Sequence, residues 1–137
     1  MSTFSILTLW NDTAELVRLE SFVTEYCQQH GLPPMELNLV AEECFINVVE
    51  HSFKDAGPHR IELSLELQDG SVTMILEDEG IAFDPLSAPE FDPATPIEQR
   101  RVGGLGIHLV RNLMDELHYQ RVDGKNRLTL RKAVGRT

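Results

Sequence analysis

Twice in this chain, two runs of alternating apolar and polar residues flank a short turn rich in Asp and Gly. That pattern limits the fold more than any other feature. Ile61 to Leu67 and Val72 to Leu76 stand either side of Gln68-Asp69-Gly70-Ser71, and Leu117 to Val122 and Arg127 to Arg131 stand either side of Asp123-Gly124-Lys125-Asn126. A period of two marks strands with one buried face, and Asp-Gly turns join such strands as antiparallel hairpins. A doubly wound parallel sheet needs a crossover helix between successive strands, so it is excluded. A further alternating run, Phe4 to Leu9, precedes the N-cap residues Asn11, Asp12 and Thr13. A helix then runs from Ala14 to about His30 on the spacing of Leu16, Val17, Leu19, Phe22, Val23 and Tyr26, with Gly31 placed to end it. A second, from Pro34 to Phe53, has Leu37, Ala41, Cys44, Phe45, Val48 and Val49 on one face and Glu43, Asn47, Glu50 and His51 on the other. After a proline-rich connection from Glu79 to Val102, helical spacing returns from Gly103 to about Leu117. The order predicts an α+β two-layer sandwich, with helices packed on one face of a mixed, mostly antiparallel sheet.

Length and charge narrow the possibilities further. The 137 residues make one domain spanning 1–137. A formal net charge of −10 argues against direct nucleic-acid binding, which needs a positive footprint. Cys27 and Cys44 are the only cysteines and both fall in helical stretches, which points to a reducing compartment rather than a disulfide framework. The five histidines are scattered without the paired spacing of a closed zinc site. No run is long and apolar enough to span a membrane, and the N-terminal residues lack the pattern of a secretory signal. A cytoplasmic protein is expected.

Three clusters could carry chemistry, and each also has a plain structural reading. Glu43 and Asn47, four residues apart, lie one above the other on the second helix. They are either a solvated face or a carboxylate that takes a proton beside an amide oxygen that suits Mg²⁺. Asp78-Glu79-Gly80 begins where an apolar strand ends. It is either an acidic turn or a carboxylate poised to accept a hydrogen bond from an amino group, with Gly80 letting the chain approach a ligand. Gly103-Gly104-Leu105-Gly106 opens a helix, where free N–H groups and the positive dipole end favour phosphate. No Lys followed by Ser or Thr accompanies these glycines, and Leu109 occupies the third position of the dinucleotide fingerprint, so neither common nucleotide motif applies.

Taken in order, the clusters carry a resemblance. AEECFINVVEHSF (Ala41 to Phe53) resembles the N box of the GHKL, or Bergerat-fold, ATP-binding family; EDEGIAFDP (Glu77 to Pro85) resembles its first glycine box; GGLGIHLVRNLMDE (Gly103 to Glu116) resembles its second. The layout from about Ala14 to Lys132 is similar to that of the small anti-sigma factor serine-protein kinases. The resemblance implies a Bergerat ATP-binding fold with ATP and Mg²⁺ as cofactors. It assigns Glu43 as general base, Asn47 as the Mg²⁺ ligand and Asp78 as the partner of the adenine amino group. Gly80 would lie against the base, Gly103, Gly104, Leu105 and Gly106 would contact phosphates, and Leu86 to Val102 would form the ATP lid. Thr129 is assigned to adenine and His51 to the pocket wall. Ala82 departs from the pattern, standing where the first glycine box has a second glycine, and Arg100 and Arg101 are candidates to balance γ-phosphate charge.

The function so implied is phosphorylation of a serine or threonine on an anti-anti-sigma protein of the STAS type, with a sigma factor held by a homodimer. The alternatives are a module that binds ATP and sequesters a partner without turnover, and an interaction domain without nucleotide. The chain has no dimerisation helix bearing a phosphoacceptor His ahead of this layout, so an intact histidine kinase is not expected, although an excised catalytic domain of one stays open. Topoisomerases and chaperones of the same superfamily need far longer chains.

Overall fold

The computed structural model describes residues 3–55, 57–87 and 104–134. Its elements run β1 (Thr3–Trp10), α1 (Leu16–Gln29), α2 (Met35–His51), β2 (Arg60–Gln68), β3 (Ser71–Asp78), α3 (Gly104–Leu113), β4 (Glu116–Val122) and β5 (Lys125–Ala133). The sheet order is β1-β2-β3-β5-β4, and each adjacent pair is antiparallel. The sheet expected to be mixed therefore has no parallel pair among the described strands. Connectivity explains this. Two successive helices return the chain to the end of the sheet it left, so Trp10 faces Arg60 and β2 runs against β1. A single helix separates β3 from β4, which sets those two strands in the same direction, but β5 lies between them.

Both hairpins turn as their residues demand. Asp69 and Gly70 have φ of 52° and 77°, and Asp123 and Gly124 have 51° and 77°. Left-handed angles at both central positions match the right-handed twist of the strands, and Asp followed by Gly tolerates them. The first helix stops as expected: Gly31, at φ 68°, lets Leu32 N–H reach back to the Cys27 carbonyl at 2.8 Å. Of the three cap candidates, Asp12 accepts from Ala14 N–H at 2.9 Å and starts a single 3₁₀ turn, Thr13–Glu15, ahead of α1. Asn11 instead bridges the 57–59 loop, accepting from His59 N–H at 2.7 Å and donating to the Gly57 carbonyl at 3.2 Å.

One sheet face meets the helices, and burial alternates along β3 accordingly, with Val72, Met74, Leu76 and Asp78 inward. Leu63, Leu65 and Leu130 join that face and pack against Leu19, Val23, Phe45 and Val110 from the helices. Each such side chain contributes roughly 1.5–3 kcal/mol by leaving water. The third helix is shorter than its periodicity predicts and ends at Leu113. Lys132 Nζ caps the Leu113 carbonyl at 2.9 Å, and Asp115 is drawn into the sheet by Arg131 and Ala133. Periodicity could not see those long-range bonds.

Candidate functional site

The site grows from the C-terminal half of α2. This helix carries Cys44, Phe45 and Val48 into the core, while α1 and α3 pack along its flanks. Its polar side is thus not simply solvated. Asn47 is only 5% exposed, and its side-chain amide nitrogen has no hydrogen-bond partner among the described residues. Buried polar atoms are almost always paired, and leaving one unpaired costs about 1–3 kcal/mol. One turn earlier, Glu43 is partly buried. Desolvation, helped by the nearby charge of Glu50, holds its carboxyl above the ordinary range. Next to it, burial pushes the Cys44 thiol up to about 12, so it stays neutral.

The strand end supplies the second part. Asp78, 3% exposed, is the last residue of β3 and faces the helices. Its Oδ1 accepts from Gly80 N–H at 2.9 Å and from Asn126 Nδ2 at 3.0 Å. Burial raises its pKa, against the opposing pull of those bonds, of the nearby Ser52 hydroxyl and of the Arg121 charge. The loop after Asp78 is clamped onto the end of α2. Ile81 N–H donates to the Ser52 carbonyl at 2.8 Å, and the His51 ring lies 4.9 Å from that of Phe83. A Cβ on Gly80 would fall 2.2 Å from the Ser52 carbonyl oxygen. Glycine is required there by close approach between two parts of the chain. Ala82 is exposed and is not among the non-glycine residues with positive φ, so an alanine fits that backbone without strain.

Asn126 organises this corner, although the sequence did not single it out. Besides donating to Asp78, it donates to the Ile81 carbonyl at 2.7 Å. Its Oδ1 accepts from Phe83 N–H, from Tyr119 Oη and from Arg121 Nη1. Arg121 also donates to the Gly80 carbonyl at 2.8 Å. Asn126 pairs with Asp78 in the β3–β5 register, whereas Thr129 sits three residues on, opposite Ile75. Thr129 therefore lies on the alternate face of β5, half-buried and away from the helices, and is not brought to Asp78. The only sequence signal for Asn126 was its place in a turn.

Gly104, Leu105 and Gly106 form the first turn of α3, not a loop ahead of it, and α3 packs against α2. Gly103, Arg100, Arg101 and the lid segment from residue 88 to 102 lie outside the described residues. The start of that segment is tied down: Asp84 caps the turn at Pro85–Ser87, and Arg111 of α3 donates to the Leu86 carbonyl. A cavity of about 390 Å³ opens beside Asp78, with Trp10, Phe53, His59 and Glu79 in its lining; neither Glu43 nor Asn47 borders it.

The donor chemistry around Asn47 suits Mg²⁺. That ion takes few protein ligands and fills its shell with phosphate and water oxygens, so one amide oxygen is an ordinary contribution. Asn47 offers such an oxygen from a buried amide whose nitrogen has no hydrogen-bond partner among the described residues. No cluster of three or more His, Cys, Asp or Glu side chains suited to a metal occurs among the described residues. No described helix is long and apolar enough to cross a membrane.

Residues 9–132 match the family described as histidine kinase-like ATPase domain. The serine/threonine-protein kinase BtrW of Bordetella bronchiseptica is 38% identical over 94 residues, covering 69% of this chain and 66% of that protein. The serine-protein kinase RsbW of Bacillus subtilis is 29% identical over 93 residues, 65% of this chain and 58% of that protein. The chain thus spans somewhat less than two thirds of each relative. A histidine kinase domain from the Erythrobacter litoralis EL346 blue-light activated histidine kinase superposes with a TM-score of 0.52 over 89% of this chain and 60% of its own, at 18% identity. That last likeness is one of fold.

Proposed function

Because the chain belongs to the histidine kinase-like ATPase domain family, we propose that it is an ATP- and Mg²⁺-dependent protein kinase that phosphorylates a serine or threonine of a small regulatory partner. The observation that carries this reading is the buried Asp78 carboxyl, held by Asn126 and Gly80 against the end of the helix that bears Glu43 and Asn47. A fixed acceptor at the strand end suits the amino group of adenine. The first turn of α3, Gly104 to Gly106, would receive the phosphates, because the N–H groups at a helix start favour negative charge. Asn47 would hold Mg²⁺, and the ion would supply charge neutralisation at the transferring group.

Phosphoryl transfer asks mainly for positioning and charge stabilisation. The partner's hydroxyl oxygen forms the new bond to the γ-phosphorus as the bond to the bridging β,γ-oxygen breaks, and ADP leaves with that electron pair. The hydroxyl proton goes to Glu43, whose raised pKa makes it a better base near neutral pH than an exposed carboxylate. The relatives named serine-protein kinase favour a protein hydroxyl as acceptor. The partner class we assign is a STAS-type anti-anti-sigma protein, with a sigma factor bound by two copies of the chain. A cytoplasmic setting fits two buried, unpaired cysteines.

Incubation with γ-labelled ATP, Mg²⁺ and a STAS protein tests the reading. Label should pass to one hydroxyl of the partner, and Glu43→Gln should reduce transfer at least about a hundredfold, as loss of a general base does. Partner capture with no transfer in the unaltered protein would instead identify a sequestering module. Absence of any ATP binding would remove the nucleotide reading altogether.

A further inference from the structure

A single buried serine takes the chain out of α2. Ser52 caps the helix with φ −84° and ψ −21°; its N–H donates to the Val48 carbonyl at 2.9 Å, and its own carbonyl accepts from Ile81 N–H at 2.8 Å. Both backbone groups are therefore paired. The hydroxyl is not. Ser52 is 0% exposed, and its Oγ has no hydrogen-bond partner among the described residues. A serine near a helix end ordinarily places its hydroxyl on a backbone carbonyl or in water, and this one does neither. Buried hydroxyls without a partner are rare, because each has given up its water and gained no bond in return.

Beside this hydroxyl stands Asp78. Gly80 rests so closely on Ser52 that a Cβ there would fall 2.8 Å from Ser52 Cβ, and Gly80 N–H donates to Asp78 Oδ1 at 2.9 Å. The bond from Asn126 Nδ2 ends on the same oxygen at 3.0 Å, so Oδ2 takes no part in either. Ser52 Oγ is near enough to lower the pKa of the carboxyl, yet it stands outside hydrogen-bond geometry. Rotation about χ1 moves a serine hydroxyl among three staggered positions. Asn126 has no such freedom. Its amide nitrogen is held by Asp78 and Ile81, and its oxygen by Phe83, Tyr119 and Arg121. Of the two side chains beside the carboxyl, Ser52 is the one that can adjust to a ligand.

We propose that Ser52 is a positioning residue for the nucleotide: when Asp78 accepts the amino group of a purine, the Ser52 hydroxyl turns to donate to the same carboxylate and holds it in place. This role rests on the reading of Asp78 as the purine contact. It gives opposite signs to two quantities. In the protein without nucleotide the hydroxyl is buried and unpaired, so removing it leaves stability level or raises it. In the complex the hydroxyl makes a bond that it lacked before, so removing it weakens binding. A serine that served only as packing would lower stability when truncated and would affect every nucleotide alike.

The test compares the full chain with Ser52→Ala, Asp78→Asn and the double variant. Calorimetry with Mg²⁺ and either ATP or inosine triphosphate gives affinity, and thermal unfolding without nucleotide gives stability. Ser52→Ala should unfold at or above the parent's temperature, bind ATP about tenfold more weakly and bind inosine triphosphate as the parent does. In the Asp78→Asn background the same change should barely alter ATP affinity, because the carboxylate that the hydroxyl serves is gone. In transfer to a STAS protein, Ser52→Ala should raise KM for ATP and leave kcat unchanged, as loss of a contact made equally in the ground and transition states does. Unchanged ATP affinity in Ser52→Ala would overturn the proposal, as would equal weakening of both nucleotides or additive effects in the double variant. If the parent prefers ATP and Ser52→Ala keeps the full preference, only the role of Ser52 falls. A parent that binds no ATP would overturn the purine contact and the role of Ser52 together.

Discussion

Asp78 ties the strand end together and is also the proposed contact for the adenine amino group. Its carboxyl is buried, and desolvation raises its pKa above 3.8. A raised acid binds its proton more tightly in the folded state, so the apo protein loses stability as pH rises from about 3.8 through the folded pKa, and is level above it. Asp78→Asn removes the charge but keeps an oxygen for Gly80 N–H and Asn126. Thermal unfolding near pH 7 should therefore show the variant at least as stable as the parent. Gly80→Ala should behave oppositely. Its Cβ would collide with backbone at Ser52, so the cost should reach or exceed the upper end of the roughly 1–3 kcal/mol typical of overpacking, measured by urea denaturation. Asp78 and Gly80 could be picked out of the sequence because an acid and a glycine interrupt an apolar strand. Asn126 could not, since its partnership with Asp78 depends on a β3–β5 register between strands 48 residues apart. Thr129 failed to reach the site for the same reason: three residues along a strand change the face.

At the scale of elements, α2 is the part whose meaning changed most between sequence and structure. Its periodicity correctly separates Cys44, Phe45 and Val48 from Glu43 and Asn47, but a helical projection treats the second group as exposed. Packing by α1 and α3 buries Asn47 and partly buries Glu43 instead. That burial has a kinetic consequence. As the proposed base, Glu43 works when ionised, so transfer should rise with pH through its raised pKa, above 4.5. Glu50 contributes to the raising, and Glu50→Gln should therefore move this acidic limb of the pH–rate profile to lower pH. A limb that stays in place would separate the two residues electrostatically. The same helix buries Cys44, whose thiol at about 12 should resist alkylation in the native protein and react once it is unfolded.

At the scale of the molecule, the sheet gives one face to the core and one end to the proposed nucleotide contact. Hairpin chemistry made the antiparallel pairs legible, but the insertion of β5 between β3 and β4 was not, because strand order depends on contacts between distant segments. That insertion places Asn126 beside Asp78 and so completes the acceptor at the strand end. The whole account rests on that acceptor recognising a purine amino group. Calorimetry with Mg²⁺ and either ATP or inosine triphosphate, which has an oxygen where adenine has its amino group, tests it most directly. The parent protein should bind ATP about ten- to a hundredfold more tightly, the value of one hydrogen bond to a charged group. Asp78→Asn should lose that preference. Equal affinity of the parent protein for the two nucleotides would contradict the assignment of Asp78.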